Sequence, residues 1–436
     1  MAAIAAWRGP VALVRPLVPA PAARYTAAVS DVHALLAESI HPSAHEVFGE
    51  AGIVVHTVPG GLGESELIEA LNALPPGDVM VGVRSKTKVR KAVIDAVPRL
   101  TAIGCFCIGT DQVDLDDARA RGIAVFNAPF SNTRSVAELV LGEIIMLSRQ
   151  IFPRSMAAHR GSWEKNANGA HEVRGKTLGI IGYGHIGSQL SVLAEALGLR
   201  VIFNDIMPKL PLGNAEVRDS LQHLLAESDF VTLHVPNSEI TRGMFGDAEM
   251  KQMKAGSYLI NASRGHVVDI DALRTHLEAG HIAGAAIDVF PKEPAGRGDA
   301  FESPLRGLDQ VILTPHIGGS TQEAQANIGR EVSSTLSAYM RQGRTTGCIT
   351  LPEIEPRPLS AGCRIVNHHQ NVPGVLSAIN KVIAESGLNI TGQGLSTRED
   401  MGLLLMDLAL GADDPRVNDL LEAIKALPTS LRTRLV

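Results

Sequence analysis

Beginning at residue 177, the chain repeats one form: an uninterrupted apolar run that ends in a polar or glycine-bearing turn. "TLGIIGYG", "RVIFNDI", "DFVTLHVP", "SYLINASRG", "AGAAIDVF" and "QVILTPHIGG" are its instances. Stretches with helical apolar spacing, such as "IGSQLSVLAEALG" and "DIDALRTHLEAG", lie between them. Few folds accept that alternation. Strands that alternate with helices build a parallel, doubly wound sheet, and they read as continuous apolar runs because helices cover both faces. Ligands of such a sheet sit beyond the carboxyl ends of its strands. The residues standing at that edge here are Asp205, His234, Arg264, Asp288, Glu293 and His316.

The flanking segments have their own texture. At about 150 residues per domain, 436 residues predict roughly three domains. Residues 31–131 carry a second α/β pattern ("GIVVHTV", "GDVMVGVRS", "LTAIGCFCIG", "GIAVFNAP"). In "NTRSVAELVLGEIIMLSRQ", Val136, Leu139, Val140, Ile144 and Leu147 share one helical face, and the helix is long enough to cross between domains. "LPEIEPRPLSAG", with Pro352, Pro356 and Pro358, reads as an extended linker before a compact α+β unit of about 75 residues. Residues 1–30 hold three arginines, no acid and four prolines that forbid one continuous helix, and are read as a disordered extension.

Composition excludes several classes. A formal charge of −6 gives no general pull toward nucleic acid or an acidic membrane. No apolar stretch approaches the ~18 residues of a membrane helix. Four scattered cysteines, Cys105, Cys107, Cys348 and Cys363, make no disulfide framework, and no cluster at ligand spacing predicts a metal.

Chemistry enters at "IGYGHIG". Gly182, Gly184 and Gly187 follow a strand and open a helix, and Asp205 lies 18 residues beyond Gly187 at the next strand end. That is the context of a dinucleotide fingerprint. The glycines let a pyrophosphate approach the helix N-terminus, while Asp205 suits ribose hydroxyls and repels a 2′-phosphate, favouring NAD over NADP. Arg264 suits a substrate carboxylate, although alone it serves equally as a salt-bridge partner. Glu293, between Pro291 and Pro294, is by itself as readily surface decoration. With His316 they make a set: a carboxylate holds an imidazole in one tautomer to move a hydroxyl proton. "RSKTKVRK" offers cations for a phosphate, or a solvated basic face.

"GIIGYGHIG", "LINASRGHVVD", "AAIDVFPKEP" and "TPHIGGSTQEAQ" resemble the D-isomer-specific 2-hydroxyacid dehydrogenase family, in its form with a single C-terminal ACT domain. "IGCFCIGTDQVD" and "NAPFSNTRSVAELVLGE" extend the resemblance, which runs from about residue 31 to the end. It implies a Rossmann-type NAD-binding domain (132–318) inserted into a discontinuous, flavodoxin-like substrate domain (31–131 and 319–345). A linker (346–361) and an α+β ACT domain (362–436) follow.

The residues that the resemblance implies are these. Arg264, Glu293 and His316 match the catalytic trio. NAD is expected on Gly182, Tyr183, Gly184, His185, Ile186, Gly187 and Asp205. Its further contacts would be His234, Val235, Pro236, Ala262, Ser263, Arg264, Asp288, His316, Gly318 and Gly319. Arg84, Ser85, Asn132, Gln325, Arg264 and His316 match substrate contacts, and Lys165 resembles a lysine reaching a neighbouring subunit's site. His369, Asn371 and Asn389 match the contacts of an L-serine effector, with His368 an unexplained extra imidazole. The implied activity is NAD-dependent oxidation of D-3-phosphoglycerate, the first step toward serine, in a cytoplasmic homotetramer that pairs its ACT domains. Reduction of hydroxypyruvate or 2-oxoglutarate is the alternative within the family, and a non-catalytic NAD-sensing scaffold the alternative outside it.

Overall fold

The structure, a computed structural model, describes residues 31–294, 298–359 and 361–436. The expectation for residues 1–30 lies outside the described residues.

The chain opens on a sheet of five parallel strands: β1 (Val32–Ala37), β2 (Val54–Val58), β3 (Asp78–Val83), β4 (Leu100–Cys105) and β5 (Ala124–Phe126). Their order is β2-β1-β3-β4-β5, the flavodoxin-like arrangement. Alternate side chains enter opposite cores. Val32, Ala34 and Leu36 of β1 join one apolar cluster, and Leu35 joins the other. The apolar face of the Thr133–Arg149 helix then leads away from this sheet, with Val136, Val140, Ile144 and Leu147 buried against the next.

The second sheet holds β6 (Thr177–Ile181), β7 (Arg200–Asn204), β8 (Glu216–Val217), β9 (Phe230–Leu233), β10 (Ser257–Asn261), β11 (Ile282–Ile287) and β12 (Val311–Leu313). All pair in parallel, in the order β12-β11-β10-β9-β6-β7-β8. Strand order reverses between β6 and β9, and a crevice opens at such a switch point. After β12 the chain returns. The Gln322–Gln342 helix buries Ile328, Val332, Leu336 and Tyr339 in the core of the first sheet, so that sheet is completed by residues far apart in sequence. Truncating Leu336, fully buried there, is a substitution of the class that costs about 2–5 kcal/mol.

The stretch expected as a linker is not a free tether throughout. Ile349 donates its N–H to the Val125 carbonyl at 2.9 Å. Thr350 Oγ1 donates to Ile123 O at 2.7 Å and accepts from Val125 N at 3.0 Å. Cys348 and Leu351 are buried. The prolines lie in an extended segment, but its start is fastened along β5, where an edge strand offers unpaired main-chain groups.

Past it, β13 (Cys363–Gln370), β14 (Ile390–Arg398), β15 (Met401–Leu408) and β16 (Ser430–Leu435) form an antiparallel sheet ordered β14-β15-β13-β16. Helices Val375–Ser386 and Pro415–Lys425 pack Ile379, Ile383, Leu420 and Ile424 onto one face. This unit docks on the first sheet. The Arg434 guanidinium lies 4.2 Å from the Tyr339 ring centroid and donates to the Tyr339 and Met340 carbonyls. Arg432 donates to the carbonyls of Pro98 and Arg121. His368 is fully buried and stacked on Tyr339, and burial pushes its imidazole well below the usual histidine range. The extra imidazole is therefore a neutral packing group at this junction.

Candidate active site

The carboxyl ends of the two parallel sheets face one cavity of about 630 Å³. On its nucleotide side the glycine loop divides its labour. Gly182 turns the chain at φ 91°, and a Cβ there would stand 2.4 Å from the His234 carbonyl oxygen. A Cβ on Gly187 would meet the Gly182 carbonyl at 2.3 Å, so helix and strand pack closely only through that glycine. Gly184 is different: among the described residues nothing lies within 4 Å of its missing Cβ, at the N-terminus of the His185–Ala196 helix. One glycine turns, one packs, and the third leaves room for an anion at a positive helix end.

Asp205 supports the same loop. Its Oδ2 accepts the Tyr183 N–H at 2.8 Å and its Oδ1 the Met207 N–H at 2.8 Å. Tyr183 contributes only main chain here. Its ring is buried, stacked on Phe203 at 3.8 Å, and its hydroxyl pairs with Ser191 Oγ at 2.7 Å. The His185 ring rests on Phe130, 3.8 Å between centroids. Across the switch point, His234 Nε2 pairs with Thr232 Oγ1 at 3.1 Å, while its Nδ1 is buried without a partner among the described residues. Burial lowers this imidazole to about 4, so it is neutral at physiological pH. A cradle open only at Gly184, a fixed carboxylate and an orphaned imidazole nitrogen fit a dinucleotide.

The chemistry lies where β10, β11 and β12 end. Asn261, fully buried, ties its turn: Oδ1 accepts from Ser263 N at 3.1 Å and Oγ at 2.8 Å, and Nδ2 donates to Arg264 O at 3.1 Å. That delivers Arg264 to the cavity, with one guanidinium N–H spent on Ser263 O at 2.7 Å. Asp288, 1% exposed, staples the turn after β12. Its Oδ1 accepts from Thr314 Oγ1 at 2.6 Å and Ile317 N at 2.8 Å, and its Oδ2 from Gly318 N at 2.9 Å. The staple holds His316 at φ 54°, a left-handed conformation that costs a non-glycine residue about 1–3 kcal/mol. Pro315 and the two glycines thus serve to present a ring.

That ring is paired. His316 Nδ1–H donates to both oxygens of Glu293, at 2.9 and 3.1 Å. The bond to Glu293 raises the imidazole above its ordinary range, against burial and the Arg264 charge. Burial works to raise Glu293, but the His316 bond, its charge and the Phe290 N–H hold the carboxyl below its usual value. Nδ1 is committed to Glu293, so Nε2 is the nitrogen left for a substrate.

The opposite wall belongs to the first sheet. Arg84 and Ser85 line the cavity, together with Asn132 and Gln325 at the starts of the two crossing helices. Ser135 Oγ and Thr321 Oγ1 tie those helix starts at 2.7 Å. Lys165 stands apart, exposed on the segment after His159 and not on the cavity of its own chain. Several lining residues escaped the sequence reading: Lys88, Cys107, Gly109, Asp111 and Gln112. The basic run and "GCFCIGTDQ" held the signal, but charge alone does not separate a solvated face from a cavity wall. Burial pushes the Cys107 thiol up, against the Gln112 Nε2 donation to its sulfur at 3.2 Å and the Arg84 and Arg264 charges, which lower it. Far from here, the effector candidates divide: Asn371 and Asn389 are exposed, whereas His369 is 1% exposed, with Nδ1 on Asn367 Oδ1 at 3.0 Å.

Comparison with known proteins gives a coherent result. Residues 141–318 match the model of the D-isomer specific 2-hydroxyacid dehydrogenase NAD-binding domain, and residues 365–432 that of an AHAS small subunit-like ACT domain. The chain is 52% identical over 403 residues to D-3-phosphoglycerate dehydrogenase of Escherichia coli, covering 92% of this chain and 97% of that one. The enzyme of the same name from Dictyostelium discoideum is 48% identical, with 92% and 96% covered. Among solved structures, the TT0316 protein from Thermus thermophilus superposes with a TM-score of 0.64 at 30% identity, over 73% of this chain and 99% of its own.

Proposed function

Because the chain belongs to the D-isomer-specific 2-hydroxyacid dehydrogenase family, we propose that it oxidises D-3-phosphoglycerate to 3-phosphohydroxypyruvate with NAD. The observation that carries this reading is one cavity holding a Glu293-bound His316, Arg264 and, on the facing wall, Arg84 and Lys88. Glycines 182, 184 and 187 and Asp205 would hold the NAD, which supplies the hydride acceptor when bound. Arg264 binds the substrate carboxylate through its remaining N–H donors. As the C2 hydrogen leaves with its electron pair, Nε2 of His316 takes the hydroxyl proton and the C–O bond becomes a carbonyl. Glu293 stabilises the resulting imidazolium at 2.9 Å. The phosphate lies toward Arg84, Ser85 and Lys88, and Lys165 of a neighbouring copy completes that wall.

Residues 31–131 and 319–345 act as the substrate domain and 132–318 as the NAD domain. The C-terminal unit is a regulatory ACT domain. L-serine bound by His369, Asn371 and Asn389, in paired copies of a cytoplasmic tetramer, restrains closure of the two catalytic lobes. No helix among the described residues is long and apolar enough to cross a membrane.

The test is NADH oxidation with 3-phosphohydroxypyruvate, titrated with L-serine. Turnover that falls with serine supports substrate, cofactor and effector together, and turnover indifferent to serine removes the effector. Absent turnover sinks the substrate assignment and moves the search to hydroxypyruvate and 2-oxoglutarate. His316→Asn should lower kcat by about a thousandfold or more with NADH affinity retained. Surviving turnover refutes the proton-transfer role.

A further inference from the structure

One buried acid beside this cavity takes no part in the chemistry above. Glu38 follows β1, next to the strand that delivers Arg84, and is 8% exposed. Its three side-chain bonds go to one loop and to main chain. Oε1 accepts from Arg84 N at 3.1 Å and Thr87 N at 2.7 Å, and Oε2 from Lys86 N at 3.0 Å. Convergent amides of a turn form a nest of the kind that captures phosphate. Here the chain fills its own nest with a carboxylate.

The arrangement is held at some cost. Glu38 and Ser39 sit at φ 65° and 51°, the left-handed region that disfavours side chains with a Cβ. The Glu38 N–H donates to Gly60 O at 3.0 Å and Ser39 Oγ to Pro59 O at 2.8 Å, fixing that turn. Thr87 Oγ1 accepts from Leu62 N at 3.1 Å. The loop that presents Arg84 and Ser85 to the cavity is thus anchored from beneath.

We infer that Glu38 is a positioning residue for recognition of the substrate's anionic end, an inference that rests on the phosphorylated substrate proposed above. By occupying the amide nest it fixes the backbone of residues 84–87 so that Arg84 and Ser85 face the cavity. The anion is then read chiefly by side chains, because three of the loop's four amides, those of Arg84, Lys86 and Thr87, are already taken. Their removal from the contest is what makes the wall a set of long cations rather than a main-chain cradle.

The experiment uses the full chain with Glu38→Gln and Glu38→Ala. KM for 3-phosphohydroxypyruvate should rise about tenfold or more. KM for unphosphorylated hydroxypyruvate and NADH affinity should stay within about twofold. In Glu38→Ala, added formate or acetate should re-enter the nest and lower KM toward wild type, which a purely structural role does not predict. Independently of any substrate, brief trypsin digestion should cut after Arg84 or Lys86 several times faster in Glu38→Gln, with other cleavages unchanged. Unchanged KM together with unchanged cleavage overturns the inference, as does an equal loss on both substrates with NADH binding impaired. Faster cleavage in a protein whose wild type ignores 3-phosphohydroxypyruvate would keep Glu38 and discard the substrate reading instead.

Discussion

Two loops at the ends of parallel strands border the same cavity, one lining it with Arg84 and Ser85 and the other reaching it at Ile186, and they meet negative charge in opposite ways. The loop after β6 keeps its main chain bare: Gly184 has open space where a side chain would stand, at a helix N-terminus. The loop after β3 has the Arg84, Lys86 and Thr87 amides occupied by Glu38 and turns the Arg84 and Ser85 side chains to the cavity instead. A bare main-chain cradle suits a ligand that recurs unchanged, since its shape is fixed by backbone geometry. Cationic side chains suit a wall that tells one substrate from another, because their reach and charge are set residue by residue.

The contrast can be broken most severely at Gly184. Gly184→Val puts three carbons into the open space without meeting an atom of the described residues near the Cβ position, so folding should survive. NADH affinity, read by fluorescence titration, should fall about a hundredfold, a loss of about 2.7 kcal/mol. Ordinary NADH affinity in that variant would mean the space is not a phosphate seat. Between the loops, Glu293→Gln should act on neither anion but on the proton. In the direction of oxidation His316 must be unprotonated, so activity falls as pH drops through an imidazole value that Glu293 holds above the ordinary 6.5. Removing the charge should move that acid limb to lower pH and cost about tenfold or more in kcat. In the reverse direction His316 must be protonated, and its alkaline limb should move down as well. A pH profile unmoved by the substitution would detach Glu293 from the reaction. On the other wall, Arg84→Ala should raise KM for the phosphorylated substrate about tenfold and leave NADH affinity alone. A matching loss of NADH would show that the two loops are not independent.

The same division explains what the chain's letters disclosed. Main-chain devices leave strict traces: Gly182 and Gly187 cannot carry a Cβ, which would lie 2.4 and 2.3 Å from a carbonyl oxygen. The parallel sheets were legible for the same reason, since strands covered on both faces must be apolar throughout, as Ala285, Ala286 and Ile287 of β11 are. Side-chain walls leave looser traces. Nothing in "RSKTKVRK" distinguishes Lys88, which lines the cavity, from Arg90, which spends its charge on Asp114 at 2.8 Å. Nor does the word "LLAESI" show that Glu38 will be buried under a loop 46 residues ahead. The fastening of residues 349–350 along β5 was hidden likewise, because prolines nearby announce extended chain but not where it lies.

Lys88 is the smallest lever and the one that tests how far the cationic wall extends. Its Nζ donates to the Ser85 carbonyl at 2.8 Å from an exposed position at the cavity's edge. An ammonium so placed keeps most of its hydration, and its attraction for a phosphate several ångströms away is screened within a Debye length of about 8 Å at physiological salt. Lys88→Ala should therefore raise KM for the phosphorylated substrate only about two- to threefold at low salt, a difference of about 0.5 kcal/mol. The difference should shrink as salt rises to about 0.5 M, where screening removes what the charge contributed. Arg84→Ala should keep most of its effect under the same salt, because bidentate contact acts at hydrogen-bond range rather than through the field. If Lys88→Ala were instead as damaging as Arg84→Ala and equally resistant to salt, Lys88 would be a direct ligand, and the wall would consist of two contacts rather than one contact and a field.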